Sequence, residues 1–411
     1  MSTKDGSKGS PVVGVRLPVW AGSTFPVLGG VVDYMRLNGP WRLVTENDSY
    51  GEMESVQIGE GWQGDGLLLY RATEAELKDF RERGVAVVLL STEGPDMGFP
   101  RVVPDNELVG RHAAEHLMGV GLQSFAYVGR GETMYLEEEF APGQRVYPRE
   151  RLAGFSATLA TAGHEAMTHY LPGVPLWKKG SWRKVEDQVA GFLSELPLPF
   201  GLFAVDDALG AVSIRAARRL GLRVPEDIAV LGFGDDLNYC HITEPAMTSI
   251  PYPARKAGLL AAEYLARQMR GEVLDGEVRR VAVDHAIARE STGFLAIEDE
   301  ETAKLVRWIR LRAKYENIQV TDLEQQTNYS LSSIKSRFKK YLGHSPKEEI
   351  TRVRLGHLKH LLSDESLSLN EIAYAMRFSS PHEMSRFFVR GTGVRPSAFR
   401  DQLVGPSRGR K

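Results

Sequence analysis

Two different patterns of apolar and polar residues divide the chain. Up to about residue 288, short apolar runs such as 85–91 (VAVVLLS) and 227–234 (DIAVLGFG) alternate with amphipathic stretches of about 10 to 15 residues. This alternation predicts parallel, doubly wound sheets whose strands are joined by helices. Because a single core stops growing at about 250 to 300 residues, a chain of 411 residues is expected to have two or three domains. About ten strand-helix units up to residue 288 suit two lobes better than one. We therefore predict an α/β body of two lobes.

The pattern changes to a purely helical one near residue 302. Leu369, Ile372, Ala373 and Met376 follow the spacing of one helix face, and Ser368 is a candidate N-cap. The sequence predicts an all-α domain with two helix-turn-helix units. The predicted boundaries are a disordered tail at 1–10, an α/β domain at 11–289, a linker at 290–301, a helical domain at 302–405 and a tail at 406–411.

An internal repeat supports the two units. Three positions recur at an offset of 50, pairing Phe338 with Phe388, Gly343 with Gly393, and Pro346 with Pro396. Each copy has a turn, a helix with one apolar stripe, and a glycine that ends the helix. The run 347–362 (KEEITRVRLGHLKHLL) between the copies predicts a long buried helix that fixes their separation.

Charge is distributed unevenly between the two parts. Residues 302–411 contain 21 Lys and Arg against 10 Asp and Glu, a charge of +11, which leaves −13 for residues 1–301. A basic module on an acidic body is typical of nucleic-acid binders, although a solvated cationic face would also account for the charge alone. In a helix-turn-helix unit the second helix needs a polar face, because its N-terminal part meets base edges in the major groove.

The C-terminal part resembles the AraC/XylS-type DNA-binding domain. The similarity is clearest over 372–400 (IAYAMRFSSPHEMSRFFVRGTGVRPSAFR). It implies that base-facing residues are Ser332, Lys335 and Ser336 in the first unit and Pro381, His382, Glu383 and Arg386 in the second. Asn328 and Arg377 stand where the family usually has glycine, and Arg adopts a left-handed backbone less readily than Asn. We therefore expect the second turn to differ slightly from the family geometry.

The body resembles the effector-binding core of LacI/GalR regulators, which is similar to periplasmic sugar-binding proteins. The matching stretches include 202–236 (LFAVDDALGAVSIRAARRLGLRVPEDIAVLGFGDD) and 149–155 (RERLAGF). The resemblance implies Asp206 and Arg149 as sugar ligands and Asp235 as a third, displaced one position by Gly234. Trp20 is a candidate ring for stacking on a sugar, or a packing residue. Asp105 is a candidate ligand or a helix N-cap.

The fusion of these two domains resembles xylose-responsive regulators of enteric bacteria. It implies a transcription regulator, with activation favoured, that binds an operator in double-stranded DNA and a monosaccharide, xylose or a related pentose, between the lobes. The implied partners also include a second copy of the chain and, for an activator, RNA polymerase. Alternatives are another sugar or small metabolite as effector, or action as a repressor.

Other classes of protein fit the sequence less well. A stand-alone solute-binding protein would require an export signal, whereas MSTKDGSKGS has no apolar core, so a bacterial cytoplasmic, nucleoid-associated location is expected. An enzyme, for example an alkyl-accepting repair protein, would require a reactive cysteine with metal ligands, but Cys240 stands alone. Adjacent Asp206 and Asp207 should face opposite sides of their strand rather than share one site. We predict no catalytic residue, metal, cofactor or membrane span.

Overall fold

The computed structural model describes residues 10–18, 21–45, 58–131, 146–171, 181–293, 299–363 and 367–404. The chain divides into two compact units, Met1–Phe294 and Leu295–Lys411. This division falls inside the predicted linker at 290–301. Both ends of that predicted linker belong to the neighbouring units, because Glu290–Thr292 form a 3-10 turn that packs on the first unit and the second unit's first helix begins at Glu300. Apart from Ser10, the predicted tails lie outside the described residues.

The first unit alternates strands and helices. Its elements are β1 Val12–Arg16, α1 Thr24–Asn38, β2 Arg42–Thr45, β3 Gly66–Leu69, α2 Glu74–Glu82, β4 Ala86–Leu89, β5 Arg101–Pro104, α3 Asn106–Gly119, β6 Phe125–Arg130, α4 Tyr147–Thr161, β7 Ala166–Leu171, α5 Ser181–Ser194, β8 Phe200–Ala204, α6 Asp207–Arg219, β9 Ile228–Gly234, α7 Leu237–Cys240, β10 Thr248–Pro251, α8 Ala254–Met269 and β11 Val278–Val281.

Within the described residues these strands form two parallel sheets, one in each lobe. The first lobe has six strands in the order β11-β5-β4-β3-β1-β2, and the second has five in the order β10-β9-β8-β6-β7. Both faces of the first sheet are buried: Leu68 packs with α1 and α8, whereas its neighbours Leu67 and Leu69 pack with α2. Burial on both sides explains why the strands read as continuous apolar runs.

Paired helices approach each other closely in both lobes because glycine lines the contact. A Cβ on Gly154 of α4 would lie 2.0 Å from the carbonyl oxygen of Glu107 in α3, and one on Gly30 of α1 would lie 1.9 Å from that of Arg255 in α8. Any side chain at these positions would push the backbones apart. The contact between α3 and α4 fixes the side chains that α4 carries at the lobe boundary.

Three chain segments connect the lobes. They follow β5 into α3, β10 into α8, and β11 back to the second lobe, where Ile287 pairs with Ser249. Parallel strands therefore end at a cleft between the lobes, the usual position of a ligand in this kind of sheet. The predicted two-lobed α/β body is confirmed.

The second unit is helical throughout its described elements, as predicted. They are α9 Glu300–Arg312, a 3-10 segment Val320–Gln326, α10 Leu331–Leu342, α11 Pro346–Ser363, α12 Leu369–Ala375, α13 Pro381–Thr392 and α14 Pro396–Val404. The long helix predicted over 347–362 is α11. It contributes Ile350 to the core around α9 and α10, and Leu358 and Leu362 to the core around α12 and α13. Among the described helices, none has the length and apolar character that a membrane crossing requires.

Candidate ligand cleft and DNA-recognition helices

A bidentate ion pair lies at the carboxyl ends of the second lobe's strands. Arg130, which ends β6, donates from Nε to Oδ2 of Asp206 at 2.5 Å and from Nη2 to Oδ1 at 3.0 Å. Asp206 follows β8 and also accepts from the backbone N–H of Leu209, so it is the N-cap of α6. Burial opposes ionisation, but Arg130 and the cap hydrogen bond lower the pKa of Asp206. The carboxylate is thus ionised and oriented.

A second guanidinium, that of Arg151, is buried beside this pair. Its Nε donates to Oδ1 of Asn106 at 3.0 Å and its Nη1 donates to the carbonyl oxygen of Val205. The guanidinium carbon lies 3.9 Å from the ring centroid of Phe233 and 4.6 Å from that of Tyr147. Burial lowers the pKa of Arg151, and nearby tyrosines and Asp206 oppose this effect. The aromatic rings hold the charged group in a fixed plane without neutralising it.

The first lobe contributes polar groups from the ends of β3 and β4. Arg71 pairs with the buried carboxylate of Glu93, and its guanidinium lies 5.2 Å from the ring centroid of Tyr70. Burial and the charge of Glu93 raise the pKa of Tyr70, while Arg71 and Arg151 lower it. Glu93 likewise helps to raise the pKa of Arg130 in the other lobe, against the effect of burial. The charges of Glu93 and Arg151 thus act across the boundary between the lobes, on Arg130 and on Tyr70 respectively.

The cleft therefore offers donors and acceptors close to aromatic rings. Guanidinium groups donate and carboxylates accept, which is the arrangement that recognises adjacent hydroxyl groups. Aromatic rings cover the apolar face of a ring-shaped ligand. The rings include Tyr70, Tyr147, Phe233 and Tyr252. Burial, with a contribution from Tyr70, raises the pKa of Tyr252.

The structure places the predicted ligand residues in different environments. Only Asp206 lies in the ion pair described above. Arg149 is exposed, and its charge acts to lower the pKa of Tyr170. It lies two residues before buried Arg151 and therefore on the opposite side of α4. Asp105 is the N-cap of α3, with Oδ1 3.1 Å from the backbone nitrogen of Leu108. Trp20 lies outside the described residues.

Asp235 and Asp207 belong to a separate polar cluster behind the cleft. Asp235 has a left-handed backbone, with φ of 54°, and accepts from Nη2 of Arg289 at 2.6 Å. Asp207 accepts from Oγ of Ser249 at 2.6 Å and from the backbone nitrogen of Asp236 at 2.8 Å. Burial raises the pKa of Asp207 to about 7. The carboxyl groups of Asp206 and Asp207 thus have different partners. The predicted reason, alternation along a strand, does not apply, because both residues follow β8, as the N-cap and the first residue of α6.

Sequence reasoning missed Arg130, Arg151 and the first lobe's Tyr70, Arg71 and Glu93. Arg130 ends a predicted strand (SFAYVGR), which was a usable signal because carboxyl strand ends line the cleft. Arg151 is in the quoted motif RERLAGF, where helix periodicity distinguishes it from Arg149 once the buried face is known.

In the second unit, both candidate recognition helices have one buried stripe. In α10 the stripe consists of Ile334 and Phe338, and the predicted base-facing residues Ser332, Lys335 and Ser336 are exposed. Ser330 caps the helix, and Gly343 ends it in a left-handed conformation. The polar face is thus available at the N-terminal end of the helix.

The helix α13 repeats this arrangement. Met384 and Phe388 are buried, while Pro381, His382 and Arg386 are exposed. Glu383 differs, because its carboxylate accepts from the backbone nitrogen and hydroxyl of Ser379, at 2.8 and 2.7 Å. These hydrogen bonds lower the pKa of Glu383 and hold its carboxylate at the start of the helix.

The turn before α13 keeps a left-handed residue in spite of its sequence. Arg377 has φ of 56°, so an arginine adopts the conformation that glycine would favour. The expectation of a changed second turn is therefore not supported at this residue. Its energetic cost is of the order of 1 kcal/mol.

Buried Arg354 connects the two halves of this unit. From α11 it donates to the carbonyl oxygens of Glu316, at 2.6 Å, and Met376, at 2.8 Å. Its guanidinium carbon lies 4.7 Å from the ring centroid of Phe378. The two helix-turn-helix units are thus fixed to one long helix.

Comparisons with known proteins agree with this two-part architecture. The family model described as periplasmic binding protein-like domain matches residues 114–292, and that described as helix-turn-helix domain matches residues 323–402. The xylose operon regulatory protein of Escherichia coli (strain K12) is 24% identical over 390 residues, which cover 91% of this chain and 93% of that protein.

Solved structures share the fold. The structure of the xylose-binding transcription activator xylR matches with a TM-score of 0.58 at 22% identity, covering 96% of this chain and 99% of that one. A LacI family regulator from Enterococcus faecium with bound ribose has a TM-score of 0.50 at 20% identity, over 68% of this chain and 98% of that one. The chain therefore contains a periplasmic binding protein-like domain ahead of a helix-turn-helix domain, and it is similar over nearly its whole length to transcription regulators such as the xylose operon regulatory protein of Escherichia coli.

Proposed function

We propose that this regulator activates transcription when a monosaccharide, with xylose or a related pentose favoured, binds between the lobes of its first unit. The observation that carries the proposal is a pair of ion pairs at the lobe boundary: Arg130 with Asp206 in the second lobe and Arg71 with Glu93 in the first, where Glu93 also raises the pKa of Arg130 across the boundary. Paired guanidinium and carboxylate groups can exchange hydrogen bonds with the hydroxyls of a bound sugar. The relatives named above, described as xylose-binding and ribose-bound, support the choice of a pentose.

The ligand would act by changing the equilibrium between open and closed lobes. Coupling requires that the sugar binds the closed form more tightly and that the closed form favours DNA binding. We propose a homodimer that places its helix-turn-helix units on tandem sites of a double-stranded operator in the cytoplasm and contacts RNA polymerase. A related regulator that senses another small molecule, or that represses, would use the same geometry.

A thermal-shift screen of the purified full chain against pentoses and hexoses tests the ligand. A sugar that binds only the native state increases the free energy of unfolding by about 2.7 kcal/mol at one hundred times Kd, and this raises the melting temperature. Asp206→Asn should abolish the shift, because it removes the charge paired with Arg130. Asp275→Asn, in an exposed turn before β11, should leave it unchanged. Equal shifts for the two variants would remove Asp206 from the site.

A binding assay with operator and random DNA tests the recognition helices. Arg386→Ala should weaken operator binding by about 1 to 3 kcal/mol and random DNA much less, because a base contact carries sequence information. Arg390→Ala, in the last turn of the same helix, should affect both DNAs equally. Unchanged discrimination in Arg386→Ala would contradict its assignment. A reporter assay with and without sugar then distinguishes activation from repression.

A further inference from the structure

Two histidines and a glutamate meet outside the cleft, where α3 contacts the third connection between the lobes. His112 and Glu115 lie one turn apart on α3, and His285 lies on the segment that leads from β11 back to the second lobe. One ligand atom from each of the three side chains lies within 4.8 Å of the others. The imidazole rings of His112 and His285 stack, with centroids 4.0 Å apart.

We propose that His112, Glu115 and His285 form a binding site for a transition metal ion of the Zn²⁺ type. Two imidazoles and one carboxylate are the donors that zinc and its neighbours prefer, whereas Ca²⁺ and Mg²⁺ prefer oxygen donors alone. Three protein ligands leave a fourth tetrahedral position for water.

The hydrogen bonding of His112 prepares it for this role. Its Nδ1 lies 3.1 Å from the carbonyl oxygen of Asp284, which can only accept, so Nδ1 donates and Nε2 keeps its lone pair. A histidine that binds a metal commonly donates from its other nitrogen to a carbonyl or carboxylate in this manner. His112 is buried, with 9% of its surface exposed, so its ring is fixed by packing.

The other two ligands can adjust to the ion. Glu115 and His285 are exposed, and their side chains can therefore rotate toward Nε2 of His112. Tetrahedral zinc with bonds of about 2.0 to 2.1 Å needs ligand atoms roughly 3.3 Å apart. Small rotations of exposed side chains close this difference without moving the backbone.

The position of the site gives the ion a structural consequence. His285 belongs to a segment that connects the lobes, whereas His112 and Glu115 belong to the second lobe's α3. A bound ion would attach this connection to the helix. The same segment continues to the 3-10 turn at Glu290–Thr292, where Thr292 contacts Nε2 of His116 at 2.7 Å. The ion would thus stabilise the end of the first unit.

Metal titration of the untagged, full-length protein tests the proposal. After treatment with EDTA, calorimetry with Zn²⁺ should detect one high-affinity site, and Co²⁺ should produce the visible absorption bands of a tetrahedral complex. His285→Ala and Glu115→Gln should each weaken Zn²⁺ binding by at least about tenfold, because loss of even an indirect ligand partner costs that much. Mg²⁺ should not compete.

His241→Ala is the matched control, since this histidine is also exposed but lies outside the cluster. It should bind Zn²⁺ as the wild type does. The metal-free melting temperature of His285→Ala should be close to that of the wild type, which separates a lost ligand from unfolding. The proposal is overturned if the wild-type chain takes up no Zn²⁺ at micromolar concentration, or if His285→Ala binds it with unchanged affinity.

Discussion

Replacing Glu349 with glutamine removes a buried charge that connects several elements of the DNA-binding unit. The fully buried carboxylate accepts from Nε of Arg310 at 2.9 Å, from Nη2 and Nε of Arg352 at 2.7 and 2.8 Å, and contacts Nε2 of His344 at 3.0 Å. Burial alone would raise the pKa of Glu349, but Arg352 and Arg310 overcome this effect and lower it to about 2. His344 follows Gly343 at the end of α10, so the network also connects α11 to the segment that leaves α10.

The pKa shift sets the size of the effect. A decrease from 4.5 to about 2 corresponds to roughly 3 kcal/mol of folding free energy, of order-of-magnitude accuracy. Because the folded-state pKa is lowered, this stabilisation is complete above about pH 4.5 and is lost as pH falls toward 2. Glutamine cannot supply the charge and leaves Arg310 buried without it, so Glu349→Gln should cost about 3 kcal/mol at neutral pH.

Hydrogen exchange measured by mass spectrometry on the full chain localises this loss. Peptides from α9 and α11 should exchange about 100-fold faster in Glu349→Gln, because opening becomes about 3 kcal/mol easier. Glu316→Gln is the control: its exposed carboxylate pairs with Arg312 on the surface, where an ion pair contributes well under 1 kcal/mol. Equal exchange in the two variants would refute the reasoning, as would an acid transition of the wild type that Glu349→Gln does not alter.

Three further substitutions have defined outcomes. In a denaturation assay, Gly154→Ala should destabilise the first unit by about 1 to 3 kcal/mol, because the new Cβ would meet the carbonyl of Glu107. The same displacement of α4 would move Arg151 and weaken ligand binding. Gly191→Ala is the control, because a Cβ there has open space, and it should be neutral or stabilising. Arg377→Gly should raise the stability of the second unit by up to about 1 kcal/mol by relieving its left-handed backbone, and an unchanged denaturation midpoint would argue against strain there. Because the pKa of Asp207 is raised in the folded state, stability should fall as pH rises from about 4 to about 7, by up to about 1.4 kcal/mol per pH unit. Asp207→Asn should flatten this dependence of stability on pH, measured by thermal melts. A slope equal to that of the wild type would be inconsistent with the buried acid.

The order of structural elements followed from local patterns. Strands such as β9 are buried on both faces, so an uninterrupted apolar run identifies them. The helices of the second unit have caps that the sequence displays, such as Ser368 with Glu371 at the start of α12. The repeat at an offset of 50 likewise predicted that α10 and α13 would be equivalent, each with two buried apolar residues and an exposed polar N-terminal end.

The candidate cleft was predicted only in part. Asp206 and Arg149 were both implied by the resemblance to LacI/GalR regulators. The structure places Asp206 in the ion pair with Arg130 and Arg149 at the surface, whereas Arg151 of the same motif is buried, and the motif alone does not choose between the two arginines. The choice depends on which side of α4 faces the lobe boundary, and that is set by its contact with α3. Asp235 is likewise engaged by Arg289, which is 54 positions away in sequence.

Sequence by itself determined the division into an acidic α/β body and a basic helical module, because periodicity, capping and charge are properties of neighbouring residues. Tertiary structure alone decided which side chains meet. Glu93 of the first lobe influences Arg130 of the second only because parallel strands of the two lobes end at one boundary, and His285 reaches His112 only because the third connection crosses α3. Contacts between distant segments depend on packing geometry, which a local pattern does not contain.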